Sequence, residues 1–387
     1  MKWALALVLS ARLMAQLPSV EQAWDLVAKG RYPEAVQVLQ GLVKGNAKDA
    51  DARLLLGSIL MELGDRGGAI EHLSAAVRLR PQSAEAQNAL GEAYKAFGDF
   101  GSARAPFREA VALEPSFAAA RVNLALALLH TGDMQEAMPH LDQAIALLGD
   151  RSEDAALPHF LRGKVHLEQS DAARAEADLQ RAVQLTPAFP EAWAELGQAQ
   201  KALLKDDAAL VSFQRSVTID PNNAITQYRL GAEYLRGGDT AKAVEHLQRS
   251  FTLNPKNQST LNSLQMAFRR NGQPEKAAGI KQLLQDLLHE RDVESENAME
   301  AIRVNNEGAA LEKKGQWSAA LERYQKALQL DPKHNGIREN LAAIHLRLAH
   351  WQKGVTLLQE ALRRDPKNEN LREALLRARA LASRSRP

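Results

Sequence analysis

Pro81, Pro115, Pro187, Pro221, Pro255, Pro332 and Pro366 are separated by 34, 72, 34, 34, 77 and 34 residues. A fixed period of this length is the mark of stacked supersecondary units, each a helix pair that cannot bury its apolar face alone. A single compact fold of 387 residues would divide into roughly two or three domains. Stacked units need not, because each contacts only its neighbours.

Counting 31 residues back from a proline gives the start of a unit. The unit from Ala50 has Gly57 at position 8, Ala69 at 20, Ala76 at 27 and Pro81 at 32. The unit from Ala84 puts Gly91, Ala103, Ala110 and Pro115 there, and the unit from Ala301 puts Gly308, Ala320, Ala327 and Pro332. Units from Pro190 and Ala224 carry serine at position 27, Ser216 and Ser250. Weaker units begin near residues 16, 118, 156, 258 and 335. Small residues at 8, 20 and 27 let two antiparallel helices approach closely, and large residues at 4, 7, 11 and 24 are expected to fill the space between units. Gly64-Asp65, Gly98-Asp99, Gly132-Asp133 and Gly238-Asp239 mark the turn, since glycine accepts the left-handed C-cap and aspartate caps the next helix. Proline at position 32 ends the second helix.

These residues, with Tyr94, Phe107, Trp193, Phe213, Tyr234 and Tyr324 at the large positions, resemble the tetratricopeptide repeat over about residues 16–368. The resemblance implies an all-α fold: an α-solenoid of antiparallel helix pairs in a right-handed superhelix, about ten units followed by a C-terminal capping helix and basic tail over 369–387. It also implies that the first helix of each pair lines a concave groove holding another protein or an extended peptide.

The pattern breaks once. The unit from Gln258 lacks its proline, and the next begins nine residues late. Ile280, Leu283, Leu284, Leu287 and Leu288 have helical spacing, which extends the second helix from about Pro274 to Glu290. Residues 292–300, within an acidic stretch, then read either as a joint between an eight-unit array (16–291) and two further units (301–368), or as part of one long helix.

In the family, positions 2, 5, 6, 9, 12 and 13 of the first helix face the groove. Here they give a polar section with Asn88 and Glu92, an apolar section with Leu126 and Phe160, then Tyr228 and Arg236, and a basic section with Asn262, Arg269 and Arg270. Relatives that grip peptide backbones use asparagine at position 6, which this chain matches at Asn123, Asn306 and Asn340. No run of three units supplies the two-carboxylate clamp of chaperone-tail binders.

Other chemistry finds little support. There are 49 Lys and Arg against 47 Asp and Glu, without the concentrated basic excess that nucleic acid requires. The chain has no cysteine, which removes disulfides, thiol catalysis and thiolate zinc. It carries no phosphate-cradling glycine motif, no G-x-S-x-G and no H-E-x-x-H. His159 and His166, and His345 and His350, are assigned surface or packing roles. No cofactor or metal is expected, and too little chain lies outside the repeats for an appended catalytic domain. Residues 1–15 fit a secretory signal peptide, with Lys2, the uncharged run Trp3–Ala11 and a cut before Gln16; an N-terminal capping helix is the alternative. No other apolar run approaches the ~20 residues of a membrane span. The expectation is a non-enzymatic interaction scaffold, exported to a bacterial envelope and serving assembly or export there. The alternative is a regulatory or targeting subunit of a complex whose catalytic chain is separate, cytoplasmic if residues 1–15 are a cap. Homo-oligomerisation is left open.

Overall fold

Left-handed backbone recurs at position 15 of every unit, and these turns set the fold. Glycine occupies seven of them, from Gly30 (φ 71°) to Gly315 (φ 73°), while Ser170, Leu204 and Ala349 hold φ of 63°, 59° and 57° in the other three. After the turn, Asp65, Asp99, Asp171 and Asp239 accept the backbone N–H three residues on, at 3.0, 3.3, 3.1 and 3.1 Å. Each such cap contributes about 1 kcal/mol.

The computed structural model describes residues 19–149, 151–366 and 368–384. Residues 1–15, with the expected signal or cap, lie outside them. Among the described residues the fold is all-α, with twenty α-helices and no strand. The chain divides into two compact units, the first running to Leu253 and the second from Asn254.

In the first unit the pairs are α1 (Val20–Ala28) with α2 (Tyr32–Gly45), α3 (Ala50–Glu62) with α4 (Arg66–Leu79), α5 (Ala84–Ala96) with α6 (Phe100–Leu113), and α7 (Ala118–His130) with α8 (Met134–Leu148). After a 3₁₀ turn at Glu153–Ala155 come α9 (Ala156–Glu168) with α10 (Ala172–Leu185), α11 (Pro190–Ala202) with α12 (Asp206–Ile219), and α13 (Ala224–Gly237) with α14 (Thr240–Leu253). From α2 to α12, each second helix also packs on the first helix of the next pair. First helices touch one another as well, α1 with α3, α3 with α5, α5 with α7, α7 with α9 and α9 with α11. This places them on the tighter, inner side.

Position 24 fills the space between units, as Leu73 does against Leu90 and Ala93 of the next one, and it does something more. Its side chain fits over the position-8 residue of its own unit. A Cβ on Gly91 would lie 2.5 Å from the Phe107 ring, one on Gly197 2.6 Å from Phe213, and one on Gly57 2.6 Å from Leu73. Phe107, Phe213 and Leu73 are fully buried. Position 4 makes a second recurring contact. Arg121 Nε, Trp193 Nε1 and Gln227 Nε2 donate to the carbonyls of Pro115, Pro187 and Pro221 at 2.8, 2.9 and 2.9 Å. The carbonyl of the proline just beyond each of these second helices is thereby tied to the next unit.

In the second unit, α15 (Gln258–Arg270) packs on the N-terminal part of α16 (Pro274–Lys313). α16 also packs on α17 (Trp317–Leu330), which is followed by α18 (Asn335–Arg347), α19 (Trp351–Arg364) and α20 (Glu369–Arg384). α16 is 40 residues long, about 60 Å at 1.5 Å per residue. Residues 292–300 are turns of this helix. His289 stands where proline would stop it, and residues 280–307 contain neither proline nor glycine. Arg303 pairs with Glu300 and Glu307 within the helix. Because α16 serves as second helix of the eighth pair and first helix of the ninth, the eighth pair belongs with the second unit. From residue 285 to residue 300 no residue is buried. α20 continues the register, with Arg372 donating to the Pro366 carbonyl at 2.9 Å.

Candidate functional site

The inner side of the first unit carries two grooves lined by first helices and the residue capping one of them. The larger, about 560 Å³, runs over α1, α3 and α5. Val20, Leu54, Leu55 and Ala89 supply its apolar surface, and Trp24 stands at it 57 % exposed. Glu21, Asp49, Asp51, Glu85 and Glu92 supply its charge. The smaller, about 160 Å³, lies between α7 and α9, lined by Leu126, Leu129, Leu161 and Val165 with His130, Lys164 and Glu168. Phe160 is half-buried beside it, tilted against Phe189 at 4.8 Å with Lys164 Nζ 5.7 Å from its ring centre.

Two of the asparagines expected to meet a partner, Asn88 and Asn123, meet each other. Asn123 Nδ2 donates to Asn88 Oδ1 and Glu92 Oε1, both at 3.1 Å, and Asn123 Oδ1 accepts Lys95 Nζ at 2.7 Å. Asn88 and Asn123 are each 8 % exposed. Both donors of Asn123 are used, so this network joins adjacent repeats instead of presenting open amides. Burial lowers the Lys95 pKa, with Glu92 opposing it. In the second unit Asn340 Nδ2 donates to Asn305 Oδ1 at 3.0 Å. Asn305, at position 5, makes the contact, while Asn306 is exposed. Among the other expected residues, Tyr228 is half-buried, and exposed Arg236 is held by Glu233 at 2.6 Å and by Asp206 at 2.6 Å. Asn262, Arg269 and Arg270 are exposed on α15 in the second unit.

One buried charged cluster escapes a search for spaced motifs. Asp178, 6 % exposed on α10, accepts Arg162 Nε at 2.9 Å, Arg162 Nη2 at 2.6 Å and His159 Nδ1 at 2.9 Å. Arg162 Nη1 also reaches Asp142 at 2.7 Å, and His166 Nε2 lies 3.7 Å from Asp178. His159 and His166 are therefore buried around an acid, the packing alternative of their assignment. The signal was a polar residue recurring at position 23: His72, Asp178, Ser212 and His246 each face a polar side chain on the first helix of their own pair. His345 and His350 also meet, Nδ1 to Nδ1 at 3.2 Å. Among the described residues no group of three or more His, Asp or Glu side chains is arranged to hold a metal ion, and no helix among them is long and apolar enough to cross a membrane.

Stacked helix pairs with an inner side formed by first helices define a protein-interaction scaffold. Tetratricopeptide-repeat models match residues 20–84, 88–155, 160–224, 224–257 and 311–379, and the chain belongs to the tetratricopeptide-repeat family. The stretch between the last two matches holds α15 and most of α16. No curated protein matches. Among solved structures, Pseudomonas aeruginosa PilF is similar at 20% identity over 56% of this chain and 98% of that one, with TM-score 0.50. YrrB, described as a TPR protein with an unusual peptide-binding site, gives 22% identity, 50% and 98% coverage, and TM-score 0.42. The C-terminal part of a TPR repeat-containing protein from Cytophaga hutchinsonii gives 13%, 64% and 99%, and 0.47. Likeness at these identities concerns the fold alone.

Proposed function

We propose that the inner side of the first unit holds an extended or helical segment of a partner protein. The observation that carries this is that both of its grooves are lined by successive first helices, with apolar surface beside ordered polar groups. A site of that kind takes apolar side chains into pockets and leaves polar contacts at the rim. A displayed random peptide library panned against the protein is expected to enrich binders. Trp24→Ala combined with Leu129→Ser should remove most of that enrichment, whereas Gln37→Glu on the exposed side of α2 should leave it intact. Equal enrichment on all three proteins places binding elsewhere and overturns the proposal.

We further propose that the scaffold acts in a bacterial envelope, in assembly or export; Lys2 and the uncharged run Trp3–Ala11 support this reading. Protein recovered from the periplasm of an expressing bacterium is expected to begin at Gln16. An amino terminus at residue 1 or 2 overturns this placement.

A further inference from the structure

The geometry points to a basic amphipathic segment, Lys or Arg interspersed with large apolar residues, as the occupant of the groove over α1, α3 and α5. This rests on the reading of that side as a peptide site and adds the chemistry of the ligand. α3 packs between α1 and α5, so its Leu54 and Leu55 form the floor while Trp24 of α1 and Ala89 of α5 flank it. An apolar side chain entering here leaves water against all three helices, which is favourable in proportion to the apolar area buried.

The charge around that floor has one sign. Five carboxylates line the groove and no Lys or Arg does. The nearby cations are already engaged. Arg80 Nη2 donates to Asp51 at 2.6 Å, and Lys95 donates to Asn123. Asp49 caps α3 through the Ala52 N–H at 2.9 Å. Glu21, Glu85 and Glu92 form no ion pair among the described residues, and Glu21 and Glu85 are exposed. Glu21 stands on α1 and Glu85 on α5, on opposite flanks of the apolar floor. A cation arriving with an apolar neighbour would meet a carboxylate on either flank, and the exposed Trp24 ring offers it a π face. An acidic segment would meet like charge on both flanks. The smaller groove, with Lys164 and His130 beside Glu168, has no such bias, so the selectivity belongs to the N-terminal end of the unit.

The test uses the full chain and three fluorescent probe peptides of equal length: one interspersing Leu with Lys, the same peptide with Glu for Lys, and one interspersing Ser with Lys. The Leu/Lys peptide is expected to bind at least about tenfold more tightly than either of the others, with affinity falling as salt rises. Glu21→Lys with Glu85→Lys should weaken it by at least about tenfold. Trp24→Ala should weaken it while leaving the salt dependence unchanged. Glu109→Lys, on α6, should do neither. Equal binding of the Lys and Glu peptides, or equal loss from Glu109→Lys and Glu85→Lys, overturns the assignment. Library binders that depend on Trp24 and Leu129 but carry no basic excess would overturn this inference alone and leave the peptide site standing.

Discussion

Asp178→Ala is expected to destabilise the first unit by about 3–5 kcal/mol, because removing one partner of a buried ion pair leaves the other charge uncompensated. The cost falls on Arg162, which would keep only Asp142, and on His159 Nδ1, which would lose its acceptor. Asp178→Asn preserves the volume and one acceptor, and should cost less. Burial alone would raise the Asp178 pKa, but hydrogen bonds from His159 and Arg162 together hold the carboxylate below its ordinary value. The unfolded chain protonates this group at about pH 3.9. Its contribution is therefore fully present above that pH and is lost as pH falls through the lower folded value. Denaturant unfolding at neutral pH should show the full difference between wild type and Asp178→Ala, and the gap should close progressively below about pH 4. A difference under about 1 kcal/mol at neutral pH would mean that the cluster is solvated and does not hold α9 to α10.

Phe107→Ala is expected to cost a similar amount, about 3–5 kcal/mol, through lost burial and the cavity left behind. The ring is fully buried and fills the notch over Gly91. Gly91→Ala should itself cost about 1–3 kcal/mol by overpacking against that ring. The fourth pair already combines alanine at position 8 with leucine at position 24, as Ala125 and Leu141, both essentially buried. Gly91→Ala with Phe107→Leu should therefore cost less than the sum of the two single changes, a coupling that thermal or denaturant unfolding of all four proteins would measure. Strict additivity would show that positions 8 and 24 do not touch.

Much of this architecture was legible because proline and glycine punctuate it. Pro81 and its equivalents locate the ends of second helices, and Gly64 and its equivalents the turns. Ser170, Leu204 and Ala349 were not legible as turn residues. They take left-handed backbone that such side chains rarely adopt, because the surrounding helix pair fixes the turn. Residues 292–300 were ambiguous for the opposite reason. An acidic composition does not break a helix, and without proline or glycine the eighth pair simply continues into the ninth. At the candidate site, the inner position of Leu126 and Phe160 follows from register, whereas the Asn88–Glu92–Asn123 network does not. Register places a side chain on a side of a helix, but whether its amide is open or already paired depends on a neighbour about a repeat away. Asp178 was hidden similarly: its meaning comes from Arg162 and His159 on the paired helix.

First helices, and not second helices, are expected to present the partner-binding surface. The absence of native cysteine allows one environment-sensitive dye to be placed at Ser58→Cys in the α3 floor or at Gln37→Cys on α2. Titration with a peptide selected by the wild-type protein should shift the Ser58→Cys emission in parallel with binding and leave Gln37→Cys unchanged. A shift at Gln37→Cys with none at Ser58→Cys would place the partner on the second helices and contradict the account.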